Sequence, residues 1–344
     1  MSELRTKRVL WADILKILAC FFVIINHTHG FVFKYGGEKT PGTALFYPIG
    51  FAMCKCAVPI FIMVSGYLLL QKETTYRKVF FRILRVAIPL ALAFLYIYYM
   101  WYGTDLSIIR MIGSALRDPL QTPFWYPYML VGLYAATPFM HKMIKNFSDR
   151  DFCAFIAIFA GIPAVVGVVT AYLGISVSNR FFTAFFPFAL AYYAAGVYLG
   201  RLERKRIYFI AAVLAFVLSV GLLFVSIYVP YLRGGELSYK MDSWTSLPVL
   251  ISSLSAFYAV RYLFENRRFG KIASRTILEI SATTFGIYLT HTFLNYRIAG
   301  WGFMKEMFAA VPCVATLATE LICFVLCGAG IFLLRRIPGF KQIL

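Results

Sequence analysis

The sequence predicts an all-α membrane protein, a single domain over 1–344 built as a bundle of about ten transmembrane helices with both termini cytoplasmic. Three observations predict it. Of the 344 residues 61% are hydrophobic and 14% charged, more apolar side chain than a water-soluble domain of this length can use without exposing large patches. The apolar residues recur in blocks of the ~20 residues that a helix needs to cross a hydrocarbon core about 30 Å thick. The basic residues gather in short segments between those blocks. The formal charge of +19 therefore reflects Lys and Arg retained on the cytoplasmic side of membrane helices, and no nucleic-acid partner is implied. A water-soluble enzyme is excluded.

The elements follow in order. The first eight residues are basic, and an apolar helix over 9–33 comes next. That helix is too long for a signal peptide's apolar core, carries Asp13, Lys16 and His27, and lacks a small-residue cleavage site, so it reads as the first span. Nine further spans are expected at 47–70, 79–102, 124–140, 152–173, 181–200, 207–229, 244–264, 277–296 and 309–334. With the N-terminus inside, every cytoplasmic segment is basic and most of the 34 Lys and Arg fall there, which orients the bundle in a cell membrane. The longest outside segments, 34–46, 103–122 and 230–243, have the length to cap a cavity. The loops leave no room for a soluble domain. No GxxxxGK[ST] or GxGxxG loop is present. The seven cysteines fall in predicted spans as apolar fillers. Cys54-Lys-Cys56 is no metal site, because residues two apart on a helix face apart.

Ionisable groups at membrane depth are costly, which makes them functional candidates. Asp13 and Lys16 share a face, three positions apart, as a local ion pair that is structural, lines a channel, or both. His27 follows Lys16 by eleven positions and projects from nearly the same face, toward the outer end. It suits a general base acting on a hydroxyl, or equally a histidine hydrogen-bonded between helices. Asn26, Thr28 and His29 crowd the same turn, with His29 expected at the outer interface. Lys55, His291 and Glu320 map to the outer half, where they would join His27 around a hydrated cavity; His291 also reads as a packing residue. His141, beside Lys142, reads as a surface group. Ser65-Gly66 lacks a GxSxG context, and the small pair permits close approach of a helix or ligand. Arg82 and Arg85, at the cytoplasmic mouth of the third span, set topology or dock a phosphate-bearing donor.

Four groups of residues together resemble the acyltransferase-3 family of integral membrane acyltransferases. They are Trp11-Ala-Asp-Ile-Leu-Lys16 through His27; Val58-Pro-Ile-Phe-Ile-Met-Val-Ser-Gly-Tyr-Leu68 with Arg82 and Arg85 before Pro89; Phe124-Trp-Tyr126 with Leu130, Tyr134 and Pro138; and Phe285-Gly-Ile-Tyr-Leu-Thr-His291 with a closing Arg336-Ile-Pro-Gly339. The chain is most similar to the small carbohydrate O-acetyltransferases of that family. Lys16 stands where many members carry Arg, which keeps the charge without the planar fork. The resemblance implies transfer of an acyl group, usually acetyl, from acetyl-CoA or another acyl-CoA to a hydroxyl of a surface carbohydrate or its lipid-linked glycan precursor, without a metal. It implies His27 as the base, Lys16 or Asp13 as orienting groups, and His291 and Glu320 as groups that tune His27. Arg82, Arg85 and Ser65 would bind the donor. Trp125, Tyr126, Asn26 and Lys55 would receive the acceptor. A transporter or flippase for a glycan or small polar substrate would also bury ionisable groups along a pathway.

Overall fold

The computed structural model describes residues 9–37, 39–102, 113, 122–173 and 186–340. The basic N-terminus, most of segment 103–122 and the first residues of the span expected at 181–200 lie outside them. The described residues form helices and short connections, with no strand among them. The helices are α1 (Leu10–Thr28), α2 (Phe31–Lys34), α3 (Pro41–Cys54), α4 (Ala57–Leu69), α5 (Tyr76–Tyr102) and α6 (Trp125–Ile144). They continue as α7 (Asp149–Leu173, with a widened turn at Ala157–Gly161), α8 (Phe186–Arg201), α9 (Arg206–Leu232), α10 (Leu247–Phe264), α11 (Lys271–Ala299), α12 (Gly302–Ala310) and α13 (Pro312–Leu334).

Among the described residues seven segments are long and apolar enough to cross a membrane: Leu10–Lys34, Pro41–Leu69, Tyr76–Ile97, Asp149–Leu173, Arg206–Leu232, Leu247–Phe264 and Pro312–Leu334. The other three expected regions are helical as α6, α8 and α11 but do not meet that standard. For α8 the described helix is shorter than a span, because the first residues of the expected segment lie outside the described ones; for α11 the reason is its place in the bundle. On α8, Phe188, Ala189, Ala191, Tyr192, Tyr193, Ala194 and Ala195 are all buried, and α11 buries Ser281, Thr283, Thr284, His291, Thr292 and Asn295. Helices surrounded by protein can give up hydropathy for polar contacts. Those facing lipid cannot, and α9 leaves Leu214, Val217 and Leu218 exposed.

Local chemistry explains the helix ends. A Thr40–Thr43 capping box with Pro41 in the first turn starts α3, and a Ser148–Asp151 box starts α7, each satisfying backbone donors that a helix start leaves open. The second expected span is broken at Lys55-Cys56, where Cys54 and Cys56 donate their thiols to the Phe51 and Met53 carbonyls. The first is broken after Thr28, and the last begins only at Pro312. His141 is half-buried, not a free surface group, because its Nδ1 donates to the Leu70 carbonyl past the end of α4 at 2.7 Å.

Helices α4 and α8 pack backbone to backbone. A Cβ placed on Gly66 would sit 1.9 Å from the Tyr193 carbonyl oxygen, and one on Gly196 would sit 1.9 Å from that of Met63. The close approach expected of the Ser65-Gly66 pair is thus made to α8, by a reciprocal glycine contact of the kind membrane helices use. Trp11 locks α1 against this pair, with ring centroids 4.7 Å from Tyr67 and 5.4 Å from Phe257 on α10. A second, smaller cluster at the other end joins Tyr47, Phe51, Ile227, Leu237 and Met241. It anchors the loop before α10, where Ser246 donates to the Met241 carbonyl and Tyr192 to the Trp244 carbonyl.

The glycine contact predicts that Gly196→Val drives α4 and α8 apart and costs about 3 kcal/mol or more. Gly221→Ala on α9, where a Cβ meets nothing within 4 Å, is expected to be neutral. Detergent-solubilised melting temperatures check both; equal values would sink the packing argument.

Candidate active site

Two cavities lie along α1 and meet at one tyrosine. The first, of about 300 Å³, is lined by Lys16 of α1, Ser65 of α4, Arg82 and Arg85 of α5, Tyr126 and Tyr134 of α6, and Thr284 and Tyr288 of α11. Its three cations come from two helices. Arg82 and Arg85 are three apart in the first turns of α5 and so share a face. Lys16 is steered by Asp13, whose Oδ1 lies 2.7 Å from its Nζ. That carboxylate is buried, and Ser281 Oγ donates to it at 2.5 Å. Asp13 thus anchors Lys16 from behind and does not line the wall. Arg82 also donates to Thr74 Oγ1 at 3.4 Å. An excess of cations beside tyrosines suits a phosphate-bearing ligand, since guanidinium groups bind phosphate oxygens in pairs.

The second cavity, of about 240 Å³, is lined by Asn26 and His27 of α1, Lys55 at the break between α3 and α4, Trp125 of α6, the loop residues Asp242, Ser243 and Trp244, and again Tyr288. Lys55 Nζ pairs with Asp242 Oδ2 at 3.0 Å and sits 3.7 Å above the Phe51 ring. The Trp125 and Trp244 rings stack at 5.5 Å and 28°. His27 faces His291, their ring centroids 5.4 Å apart. His291 Nδ1 donates to the Tyr288 carbonyl at 2.7 Å, so Nε2 is left with a lone pair, and among the described residues it has no hydrogen-bond partner. A basic nitrogen, a histidine at its side and a stacked aromatic wall can together orient a hydroxyl and take its proton.

The partition between the cavities is built from Tyr288 and its neighbours. Its hydroxyl donates to the Pro123 carbonyl, and its ring lies 5.2 Å from that of Tyr126 and 5.9 Å from His291. Trp125 and Tyr126, adjacent in the chain, therefore line different cavities. The structure brings His27, His291, Asn26, Lys55 and Trp125 together at one end, and Lys16, Ser65, Arg82, Arg85 and Tyr126 at the other. Glu320 joins neither. Its Oε1 accepts from His29 Nδ1 at 2.7 Å, and both side chains are buried. His29 is therefore not an interface group but half of an interior pair, stacked on Phe46 at 4.5 Å. Asp242, Trp244 and Tyr288 are the site residues that sequence reasoning missed. Tyr288 sits inside the Phe285–His291 motif and could have been taken from it; Asp242 and Trp244 carry no local signal beyond an acidic residue and an aromatic in the loop before α10. No three His, Cys, Asp or Glu side chains cluster as metal ligands among the described residues.

The buried pair predicts that Glu320→Ala, which leaves His29 without its carboxylate, lowers stability by about 2 kcal/mol or more, whereas Glu320→Gln keeps an acceptor and loses less. Thermal melts of the two purified variants check the order; a reversal would remove the pair's structural role.

Comparison with curated proteins returns no match, and neither does comparison with solved structures. The profile of the acyltransferase-3 family, an acyltransferase domain, matches residues 9–331. That match includes every residue lining both cavities and nearly all of the chain, so this multi-pass membrane protein belongs to the acyltransferase-3 family.

Proposed function

We propose that the protein moves an acetyl group from cytosolic acetyl-CoA to a hydroxyl of a cell-surface carbohydrate or its lipid-linked precursor. It does so as a bundle of ten helices in the plasma membrane with both termini cytoplasmic. The observation that carries this reading is the pair of cavities meeting at Tyr288, one cationic and one holding His27 beside stacked tryptophans. Basic segments between the helices support an orientation with the mouth of α5, and so Arg82 and Arg85, on the inside. Lys16 and His27 are eleven positions apart, a rise of about 16 Å. A nucleotide held at the inner end therefore presents its acyl thioester near the outer cavity by way of its pantetheine arm.

Arg82, Arg85 and Lys16 hold the donor's phosphates, with Ser65 on the same wall. Lys16 acts as a point charge that Asp13 keeps in place, a simpler contact than the two-pronged one an arginine makes. Trp125 and Trp244 receive the C–H face of a sugar, and Asn26, Asp242 and Lys55 offer polar contacts to its hydroxyls. His27 takes the proton of the acceptor hydroxyl as that oxygen bonds to the acyl carbon. It then returns the proton to sulfur as the thioester C–S bond breaks. The lone pair of His291 stabilises the proton while His27 carries it. Tyr288 narrows the passage, which keeps bulk water from competing for the acyl group.

Two outcomes follow. His27→Ala is expected to lower acyl transfer by about 10²-fold or more in membranes supplied with labelled acetyl-CoA and glycan acceptor. Unchanged turnover would remove His27 as the base. If the parent transfers no acyl group but moves a glycan across vesicles, the protein is a transporter. Replacing Arg82 and Arg85 together by Gln is expected to raise the KM for acetyl-CoA roughly tenfold or more, with a smaller change in kcat, because charged hydrogen bonds to the donor are lost in ground and transition state alike. A fall in kcat alone would assign the pair to the chemical step.

A further inference from the structure

A further cavity takes no part in that reaction. It measures about 880 Å³ and lies between one end of α11 and the end of α13, with Lys271, Arg275, Arg335 and Arg336 on its wall against the single carboxylate of Glu279. Two contacts shape it. Arg335 Nη1 donates to the Ala282 carbonyl at 2.7 Å, which draws its guanidinium across the cleft between the helices. Arg336 lies 4.6 Å over the Phe332 ring. It shares no lining residue with the donor or acceptor cavities.

It does share Arg275, Glu279 and Phe332 with a second, apolar groove of about 460 Å³ that runs on between α11 and α13 past Ile280, Ile287, Phe324 and Gly328. Gly328 matters because a Cβ there would already meet Ile287 at 3.5 Å; its absence deepens the groove. The groove opens on the outer face of the bundle, where Val325 is 55% exposed. From Arg275 to Ile287 the helix rises about 18 Å, a little more than half of the ~30 Å hydrocarbon thickness. A basic pocket at the membrane surface leading into an apolar groove one leaflet deep has the dimensions and polarity of one amphiphile.

We propose that this cleft binds an anionic phospholipid of the inner leaflet, its phosphate headgroup among Lys271, Arg275, Arg335 and Arg336 and one acyl chain in the groove. Only the choice of leaflet rests on the orientation proposed above. The charge pattern selects the headgroup, since the cations suit a phosphate that carries no compensating ammonium. The groove separates a lipid from free phosphate, which has nothing to place there. A lipid seated in the cleft would tie the inner ends of α11 and α13 together, and α11 carries Tyr288 and His291.

The test is native mass spectrometry of the full chain in detergent with added dioleoyl-phosphatidylglycerol or dioleoyl-phosphatidylcholine. Binding is read by mass and needs no turnover, so a failure here is independent of a failure of the acyl-transfer reading. Phosphatidylglycerol adducts are expected to form preferentially on the parent and to weaken roughly tenfold or more when Arg275 and Arg336, both exposed, are replaced together by Gln. Replacing Lys142 and Lys145 by Gln removes equal charge elsewhere and should leave the adducts intact. Gly328→Leu, which fills the groove and spares the cations, should weaken the adducts as well. Equal retention of the two lipids by the parent would overturn the proposal. So would adducts unaffected by R275Q/R336Q or by G328L, or displacement of the lipid by millimolar inorganic phosphate, which would reassign the pocket to the free anion.

Discussion

The hydrocarbon core supplies no water to a polar group, so each one inside this bundle must find its partner within the protein. That constraint arranges the interior. Asp13 is held by Lys16 and Ser281, His29 by Glu320, Asn295 donates to Thr28, and His291 donates to the carbonyl of Tyr288 on its own helix. Each partnership except the last, which stays within one turn of α11, joins α1 to α11 or α13 or stays within α1, so the polar groups also decide which helices stand beside the first. The buried side-chain atoms left without a partner among the described residues are His291 Nε2, Thr292 Oγ1 and Glu320 Oε2. All three belong to α11 and α13, the helices that stand against the His27 half of α1. A bundle that satisfies its polar atoms elsewhere keeps its open valences near the groups proposed to handle a proton.

Packing supplies the second half of the logic. Reciprocal glycine contacts let α4 and α8 touch at the backbone, and the aromatic residues of α8, α6 and the loop before α10 then fill the space at their ends. Tyr192 holds the loop through the Trp244 carbonyl, and Trp244 stacks on Trp125. The cavity beside His27 is therefore shaped partly by a helix that contributes none of its lining residues. The two cavities stay distinct because Tyr288 is fixed at both ends, its hydroxyl to Pro123 and its backbone to His291.

Much of this was legible in the residues. The composition and block pattern point to membrane helices, and helices occupy the described part of every expected region. Hydropathy was a weaker guide to α6 and α11, which carry tyrosine, threonine and histidine where lipid-facing helices carry leucine and valine. The cation-bearing end and the histidine-bearing end of the first span are separable by spacing alone. Lys55, Asn26 and Trp125 line one cavity with His27, whereas Tyr126, expected beside Trp125 on the acceptor side, lines the other with Arg82, Arg85 and Ser65. Glu320, expected near His27, is paired with His29, since position along a helix says nothing of rotation toward a particular neighbour.

By itself, then, the sequence determined the helical class, the membrane setting, the polar line along α1 with Lys16 and His27 at its two ends, and the family. Those properties reside in composition and in periodicity within one helix, where 1.5 Å of rise and 3.6 residues per turn convert spacing into depth and face. The tertiary structure alone decided that His29 takes Glu320, that Asp242 and Trp244 fold in beside His27, that Tyr288 stands between the two cavities, and that α11 and α13 leave a basic cleft. Each of these depends on which side chains far apart in the chain fit together, through glycine contacts, stacked rings and hydrogen bonds whose partners no local pattern encodes.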